Sequence, residues 1–145
     1  MAIASGEYHR LGLKAGGWIV GWGYNSSGQT SPPLPNLDFG GIAAGFAHSL
    51  GLKSDGSIVA WGANNHGQCT VPAPNDHFIA IAASGSNSAG LKSDGSIVVF
   101  GRDAAKLNPS APNAGYQAIS LGSSRALAIR LENVSPVRDA LPRLA

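Results

Sequence analysis

The sequence predicts an all-β fold made of β-propeller blades, each a three-stranded antiparallel sheet. Three observations lead to this prediction. One 39-residue pattern occurs three times in the 145-residue chain and then begins a fourth time. Within each copy, short apolar runs with alternating polar residues are separated by glycine-containing turns. Gly and Pro are abundant, at 20 and 9 residues, which is typical of many short strands joined by tight turns.

The period is constant over the first three copies. A spacing of 39 residues relates two sets of equivalent positions, Ile3, Ile42 and Ile81, and Trp22, Trp61 and Phe100. A fourth copy starts one residue early, at Ile119, and the pattern is lost after Leu131. A fixed period of this length indicates an array of supersecondary units. We therefore predict a single repeat domain over 1–145, with blades at about 3–41, 42–80 and 81–118 and a degenerate fourth unit at 119–145.

Each element of one unit follows from its residues. A short apolar segment at Ile42–Gly45 is the first strand, and Ser49–Lys53, with alternating leucines, is the second. The turn at Ser54–Ser57 contains a glycine that readily adopts positive φ. The β-branched and aromatic run Ile58–Trp61 is the third strand. The Asn-, Gly- and Pro-rich stretch from Ala63 to Ala80 is predicted to be a connector.

Stacking of the units is required because three short strands cannot bury enough apolar surface alone. Radial stacking gives a propeller, which we favour over a linear β-solenoid because solenoid rungs are usually shorter and lack a repeated hairpin. The periodic aromatics Trp22, Trp61 and Phe100 are then predicted to pack between blades. The lone Trp18 replaces a serine of the other copies, and either packs on a local partner or marks a contact.

Composition argues against several classes of protein. The net charge is only +2, with 12% charged residues and no basic stripe, so we expect no nucleic-acid partner. The single cysteine, Cys69, excludes an intramolecular disulfide framework. The sequence has no signal peptide pattern and no apolar run long enough to span a bilayer, so we expect no membrane partner, and the localisation stays unknown.

Several small, polar and aromatic residues recur at fixed positions. In the second copy they are Ala44-Gly45, His48-Ser49-Leu50, Asp55-Gly56, Trp61-Gly62, Asn64 and Gly67-Gln68. In the first copy they are Gly6, His9, Leu11, Trp22-Gly23, Asn25 and Gly28-Gln29. This pattern resembles the regulator of chromosome condensation repeat family, which implies propeller blades. Since one fold hosts many functions, the resemblance is specific for fold rather than for activity.

Within that family, the short period and the run from Gly67 to Pro72 most resemble the bacterial propeller-type β-lactamase inhibitor proteins. That resemblance implies a ring of seven three-stranded blades. Two departures stand out. The third unit has Arg102–Lys106 where the others have the Asn-to-Gln motif, and the chain holds only three units and part of a fourth.

No catalytic, cofactor-binding or metal-binding residue is predicted, and we expect no enzyme. His9 and His48 are equivalent and are followed by Asn87 and Arg125 in the later units. Propeller symmetry separates equivalent positions by a blade, and no Cys or carboxylate recurs at a ligand spacing. A structural polar residue that bonds the backbone is therefore favoured over a metal ligand or a base.

The variable loops carry the functional prediction. Strands one and three of a meander run the same way, so the loop after the first strand and the loop after the third emerge on one face of the disc. Aromatic and Arg side chains near amides are typical anchors of protein interfaces. The predicted partner-binding residues are Glu7, Tyr8, Tyr24, Asn25, Phe46, Asn64, Asn65, His66, Arg102 and Asp103. The alternative is that these exposed loop residues have simply drifted.

The favoured function is thus a non-enzymatic module or fragment that binds another protein through this face. Three alternatives are a β-lactamase inhibitor-like protein, a structural propeller fragment without a ligand, and guanine-nucleotide exchange, which the short period and missing blades disfavour. An open arc also exposes the apolar faces of its end blades, so we predict completion by oligomerisation, with a homodimer favoured. Two chains of 11 strands supply 22, close to the 21 of seven three-stranded blades. The tail 132–145 either adds a partial third strand or stays loose.

Overall fold

The computed structural model describes residues 1–130, and in this part of the chain the predicted architecture is confirmed. Three three-stranded antiparallel sheets are followed by a two-stranded sheet. The strands are β1 (Ala2–Ser5), β2 (His9–Leu13), β3 (Ile19–Gly23), β4 (Phe39–Ala44), β5 (His48–Lys53), β6 (Ile58–Gly62), β7 (Phe78–Ser84), β8 (Asn87–Lys92), β9 (Ile97–Gly101), β10 (Tyr116–Leu121) and β11 (Ala126–Arg130). The predicted role of the tail 132–145 lies outside the described residues.

Each three-stranded sheet is a meander in which the middle strand pairs with both neighbours. In the second sheet the order is β4-β5-β6, and Leu50 at its centre pairs with Ala43 on one side and Ala60 on the other. The hairpin between β5 and β6 turns at Gly56, whose φ of 83° lies in the left-handed region that glycine adopts without strain. Asp55 stabilises this turn because its Oδ1 accepts a hydrogen bond from the Ser57 amide at 2.9 Å.

The first strands of the second and third sheets begin three residues earlier than the apolar pattern predicts. They start at Phe39 and Phe78, which are only 4% and 3% exposed. Each amide donates to the hairpin glycine of the preceding sheet, Gly17 at 2.8 Å and Gly56 at 2.9 Å. A register shift directly after each phenylalanine interrupts the alternation, which explains why these positions do not stand out as strand residues in the sequence.

The core lies between consecutive sheets, as the propeller prediction requires. Trp61 on β6 is 8% exposed and packs against Leu11 and Ile19 of the first sheet. Phe100 on β9 is 4% exposed and packs against Leu50 and Ile58 of the second sheet. The aromatic on the third strand of the second and third sheets therefore points at the preceding blade, and two of the three predicted packing aromatics are confirmed.

Trp22 is the exception, and the prediction that it packs between blades is wrong for the described residues. Its side chain is 49% exposed, because in this structure no blade precedes the first sheet to cover it. The neighbouring Ile3 is 76% exposed for the same reason. On the last sheet, Leu127 and Ile129 are 67% and 56% exposed. The expected exposure of the two end faces is thus observed.

The connectors are fastened to the outer strands by one asparagine per unit. In the first unit, Asn36 accepts from the Ile19 amide at 2.8 Å and donates to the Ile19 carbonyl at 2.7 Å. Asn75 and Asn113 make the same pair of bonds in the second and third units. These bonds satisfy backbone groups on the third strand of each sheet, which has no strand beyond it.

The third connector differs from the first two, as its altered sequence indicates. It contains a short helix, α1 (Ala104–Leu107). Asn108 then donates to the Ala104 carbonyl at 2.9 Å and accepts from the Val99 amide at 3.0 Å, so the helix is tied to β9. Within the described residues, no helix is long and apolar enough to cross a membrane.

Candidate functional site

The two sets of loops lie on one face, as the meander geometry predicts. In each full unit, the residue after the third strand donates its amide to a carbonyl in the loop between the first two strands. These bonds join Tyr24 to Tyr8 at 2.9 Å, Ala63 to Ala47 at 2.9 Å, and Arg102 to Ser86 at 3.1 Å. We call the surface formed by these paired loops the loop face.

A glycine makes this loop pairing possible. Gly62 precedes Ala63 and has a φ of 100°, and a Cβ added there would lie 2.7 Å from the Ala47 carbonyl oxygen. A side chain would therefore be strained by the backbone conformation and would also clash. The glycine that follows each periodic aromatic is accordingly explained by the approach of the two loops.

Three of the predicted residues form a single group of rings, which we call the aromatic cluster: Tyr8, Tyr24 and Phe46. Tyr8 stands edge-to-face with Tyr24 at 6.3 Å between ring centroids and with Phe46 at 5.5 Å. The rings hold one another in these favoured geometries while staying 56%, 58% and 49% exposed. Together with Ala47 they line an apolar concavity of about 470 Å³.

A second, polar concavity adjoins the cluster. Phe46 borders both, and the polar concavity also has a volume of about 470 Å³. Its other lining residues come from the third and fourth units: Gly85, Ser86, Arg102, Asp103, Ser123 and Ser124. The loop face thus presents a ring-lined site next to a charged one, with the Phe46 ring between them.

The predicted asparagines have a different role in the structure. Asn25 donates to Ser31 Oγ at 3.1 Å and accepts from the Thr30 amide at 2.9 Å, so its amide shapes its own loop. Asn64 does the same, with bonds to Thr70 Oγ1 at 3.1 Å and the Cys69 amide at 2.8 Å. These two residues therefore support the loops rather than extend from them.

The remaining predicted residues are spread over the loop face. Asn65 accepts a bond from Gln68 at 3.3 Å, and His66 and Glu7 are exposed. Asp103 is half-buried, and its Oδ2 accepts from Asn87 Nδ2 at 3.0 Å. Its amide also donates to Asn87 Oδ1 at 2.7 Å, so the carboxylate is held in place at the edge of the polar concavity.

Beneath the loop face, a buried hydrogen-bond relay links the blades. His9 Nε2 lies 2.9 Å from Ser49 Oγ in the second unit, and Ser49 Oγ donates to the Gln29 carbonyl at 2.7 Å. Because the hydroxyl proton is used on that carbonyl, the serine accepts and His9 Nε2 donates. The periodic histidine is structural, as predicted, but it bonds a serine of the next blade and reaches the backbone only through it.

His48 repeats the relay one blade further on. Its Nε2 lies 2.8 Å from Ser88 Oγ, which donates to the Gln68 carbonyl at 2.7 Å. Nδ1 of His9 and of His48 are both buried without a hydrogen-bond partner among the described residues. Burial, with the nearby His9 charge as a smaller cause, lowers the pKa of His48 to about 4. Burial and then Arg10 lower the pKa of His9, so both imidazoles are neutral at pH 7.

Within residues 1–130, no three His, Cys, Asp or Glu side chains are grouped so that they could hold a metal ion. Burial raises the pKa of Cys69 to about 11, so its thiol is protonated rather than a reactive thiolate. The sequence left open whether Trp18, the isolated aromatic of the first hairpin, packs on a local partner or marks a contact. Lys14 Nζ lies 5.7 Å from the centre of its ring, so Lys14 is a local partner of this side chain.

Comparison with known proteins agrees with the repeat and with the fold. Residues 41–68 match the family model of the regulator of chromosome condensation (RCC1) repeat, and no curated protein sequence matches the chain. The β-lactamase inhibitor resemblance gains no support from these comparisons.

Among solved structures, yeast RCC1 (Prp20), crystallised with bound Kap60, superposes with a TM-score of 0.75 at 20% identity, over 89% of this chain and 41% of that one. The receptor kinase CR4 ectodomain of Physcomitrella patens gives 0.75 at 24% identity, over 94% and 37%. Prp20p of Saccharomyces cerevisiae, described with its binding to Gsp1p and histones, gives 0.72 at 20%, over 89% and 42%. The chain spans about two fifths of these proteins, and the similarity establishes an RCC1-like β-propeller fold.

Proposed function

We propose that this chain is a non-enzymatic protein-binding propeller module whose loop face holds another protein. The observation that carries the proposal is the aromatic cluster. Three large rings are fixed against one another, yet each leaves about half of its surface in water. Burying this apolar area against a partner gains free energy, and little side-chain entropy is lost because the rings are already positioned.

The surroundings of the cluster support a protein as the ligand. The polar concavity beside Phe46 places Arg102 and Asp103 next to the rings, and binding surfaces commonly combine an apolar centre with a polar rim. The structurally similar Prp20 binds proteins, Kap60 in one crystal structure. The loop face carries both a cation, Arg102, and an anion, Asp103, so it suits a protein ligand better than a uniformly anionic nucleic acid.

The test compares the parent with a variant that removes the anchors, Tyr8→Ala, Tyr24→Ala and Arg102→Ala together. Proteins captured from a lysate of the source organism by the parent are purified, and their affinities are measured by calorimetry. We expect the variant to bind at least about thirtyfold more weakly, as for interface anchors. Ile79→Ala, which changes a 57% exposed side chain outside the cluster, is the control.

Thermal stability is measured in parallel, because the variant should stay folded. A loss of binding that occurs only together with unfolding contradicts the proposal, as does a captured partner that binds parent and variant equally. β-Lactamases are included as purified candidate partners on the strength of the sequence resemblance alone. Lack of inhibition across β-lactamase classes would remove that specific version and leave the module proposal standing.

We further propose that two copies of the chain complete a ring. The outer face of the first sheet carries Ile3, Val20 and Trp22, of which Ile3 and Trp22 are exposed. These three residues are the repeat equivalents of Ile42, Val59 and Trp61, which pack against the first sheet. The exposed Leu127 and Ile129 are the equivalents of Leu50 and Leu52, which lie in the core between the second and third sheets. The two open faces are therefore the two halves of a contact that the chain already makes internally.

In a two-fold arrangement, the open face of the first sheet of each copy packs against the open face of the last sheet of the other copy. Light scattering over about a hundredfold dilution tests this closure, and we expect a dimer that dissociates on dilution. Trp22→Ala should weaken the dimer and leave the monomer folded. A folded monomer at every concentration contradicts the closure but leaves the loop-face proposal untouched.

A further inference from the structure

We infer that each junction between the two copies carries an ion pair, between Arg125 of one copy and Glu7 of the other. The inference rests on the proposed dimer and specifies what holds it in register. We call this junction the seam. Its geometry follows from the contacts that consecutive units already make inside the chain.

Inside the chain, the loops between the first two strands touch from one unit to the next. The Tyr8 ring of the first unit stands 5.5 Å from the Phe46 ring of the second. The backbones are joined as well, since the Glu7 amide donates to the Gly45 carbonyl at 3.3 Å and the Phe46 amide to the Gly85 carbonyl at 2.8 Å. The second residue of the loop in one unit, here Tyr8, thus contacts the first residue of the equivalent loop in the next unit, here Phe46.

Repeat equivalence transfers this contact to the seam. Glu7 in the first unit is the repeat equivalent of Phe46 in the second. Ser124 in the fourth unit is the repeat equivalent of Tyr8 in the first. A seam built like the internal contact therefore brings Glu7 of one copy against Ser124 of the other and beside Arg125. All three residues are exposed in the described chain and so are free to meet.

The buried relay explains why this pair matters. Arg125 is the repeat equivalent of His48, and Arg10 is the repeat equivalent of the relay serines Ser49 and Ser88. At the seam, Arg125 of one copy therefore faces Arg10 of the other. Arg10 donates to the Gly6 and His9 carbonyls at 2.9 and 2.8 Å, so its guanidinium is held on its own blade. The neutral His–Ser bond that links the first unit to the second and the second to the third cannot form at the seam, and two cations are brought near each other. Glu7 is the acidic residue placed to neutralise them.

The seam is therefore charged where the internal contacts are neutral. Charge complementarity of this kind favours one partner and one register, and it weakens when salt screens it. This makes a second copy of the same chain the occupant that the end faces select. Segment 131–145 of the same chain or an unrelated protein are the competing occupants, and they would leave the chain monomeric.

The test is a charge swap measured by sedimentation. Glu7→Arg should weaken the dimer by at least about fivefold, because it places a third cation at each seam. Arg125→Glu should weaken it less, because the new carboxylate faces Glu7 but also lies near Arg10. An equimolar mixture of the two variants should recover a dimer as tight as the parent, since a mixed pair restores an opposite-charge contact at each seam. Lys106→Glu, an exposed residue on α1, is the control for the change in net charge.

The outcomes separate the two levels of the proposal. A parent dimer that weakens from about 0.05 to about 0.5 M salt, with recovery in the mixture, supports the seam. A parent dimer that neither single variant weakens overturns the ion pair and leaves the dimer standing. A parent that is monomeric throughout overturns both, and circular dichroism of each variant shows whether a loss of dimer reflects unfolding instead.

Discussion

Trp22 and Trp61 hold the same place in consecutive repeats, but their surroundings differ. Trp61 is 8% exposed, and its Nε1 donates to the Gln29 carbonyl of the preceding unit at 2.9 Å. Trp22 has the same strand position and the same following glycine, yet it is 49% exposed. The difference shows that a periodic aromatic in this chain becomes a core residue only when another blade lies against it.

The aromatic cluster extends the comparison to a third environment. Its rings are about as exposed as Trp22, but they lie on the loop face and contact one another. Trp22 instead lies on a sheet face whose equivalents are buried elsewhere in the chain. We therefore expect substitution of Trp61 to lower the stability of the fold and substitution of Trp22 to weaken the dimer. Substitutions in the aromatic cluster should weaken partner binding.

The largest effect is expected at the buried member of the tryptophan pair. Trp61→Ala removes a large core side chain and should lower the free energy of unfolding by about 3–5 kcal/mol. Trp22→Ala should lower it by about 1 kcal/mol or less when measured on dilute, monomeric protein. Denaturant midpoints with unchanged slopes measure both. Equal losses for the two variants would contradict the assignment of the blade contacts.

The buried relay should make the blade contacts sensitive to acid. His48 has a pKa of about 4 in the folded protein against 6.5 when unfolded, so the unfolded state binds the proton first. Stability from this group is therefore present above pH 6.5 and is lost as the pH falls towards 4. At about 1.4 kcal/mol per pKa unit, the loss is on the order of 3 kcal/mol. Unfolding followed by urea at several pH values measures it.

The third repeat supplies the control for this pH dependence. It has Asn87 at the same position, so His48→Asn introduces a residue that the repeat already uses. We expect this variant to lose some stability at pH 7 and to have a flatter profile between pH 6.5 and 4, with His9, whose pKa is also lowered, contributing the remaining slope. An unchanged slope would mean that His48 is not the titrating group.

A smaller effect is expected from the serine of the relay. Ser88→Ala leaves the His48 Nε2–H group and the Gln68 carbonyl without their partner in a buried contact. The expected cost is about 1–3 kcal/mol in the free energy of unfolding. Ser120→Ala, at an exposed position on β10, is the matched control and should change stability by no more than about 0.5 kcal/mol. Similar values for the two serines would show that the relay is not stabilising.

The smallest effect on stability is expected in the aromatic cluster. Phe46 is 49% exposed, so Phe46→Ala should move the free energy of unfolding by about 0.5 kcal/mol or less. The same measurement on Trp61→Ala gives the scale for comparison. A loss of several kcal/mol at Phe46 would mean that the ring is part of the core, and the argument for a binding surface would fail.

Much of this arrangement follows from the repeat. The 39-residue spacing predicts the blades, and the strand directions predict that Tyr8, Tyr24 and Phe46 share a face. The sequence also identifies the periodic histidine as structural. It does not reveal the serine partner, because His9 and Ser49 are 40 residues apart and meet only when two blades stack. The Asn36 bonds to β3 are hidden for the same reason.

The sequence alone determined the features that depend on residues close together along the chain. Alternation, turn glycines and the fixed period specify three-stranded sheets and their order, since strand and hairpin preferences are local. Only the tertiary structure decided which equivalent residues are buried. Burial depends on the sheet that lies opposite, so Trp22 and Trp61 differ although their local sequences match. The edge-to-face contact between Tyr8 and Phe46 likewise arises between loops of different units, and no pattern within one repeat contains it.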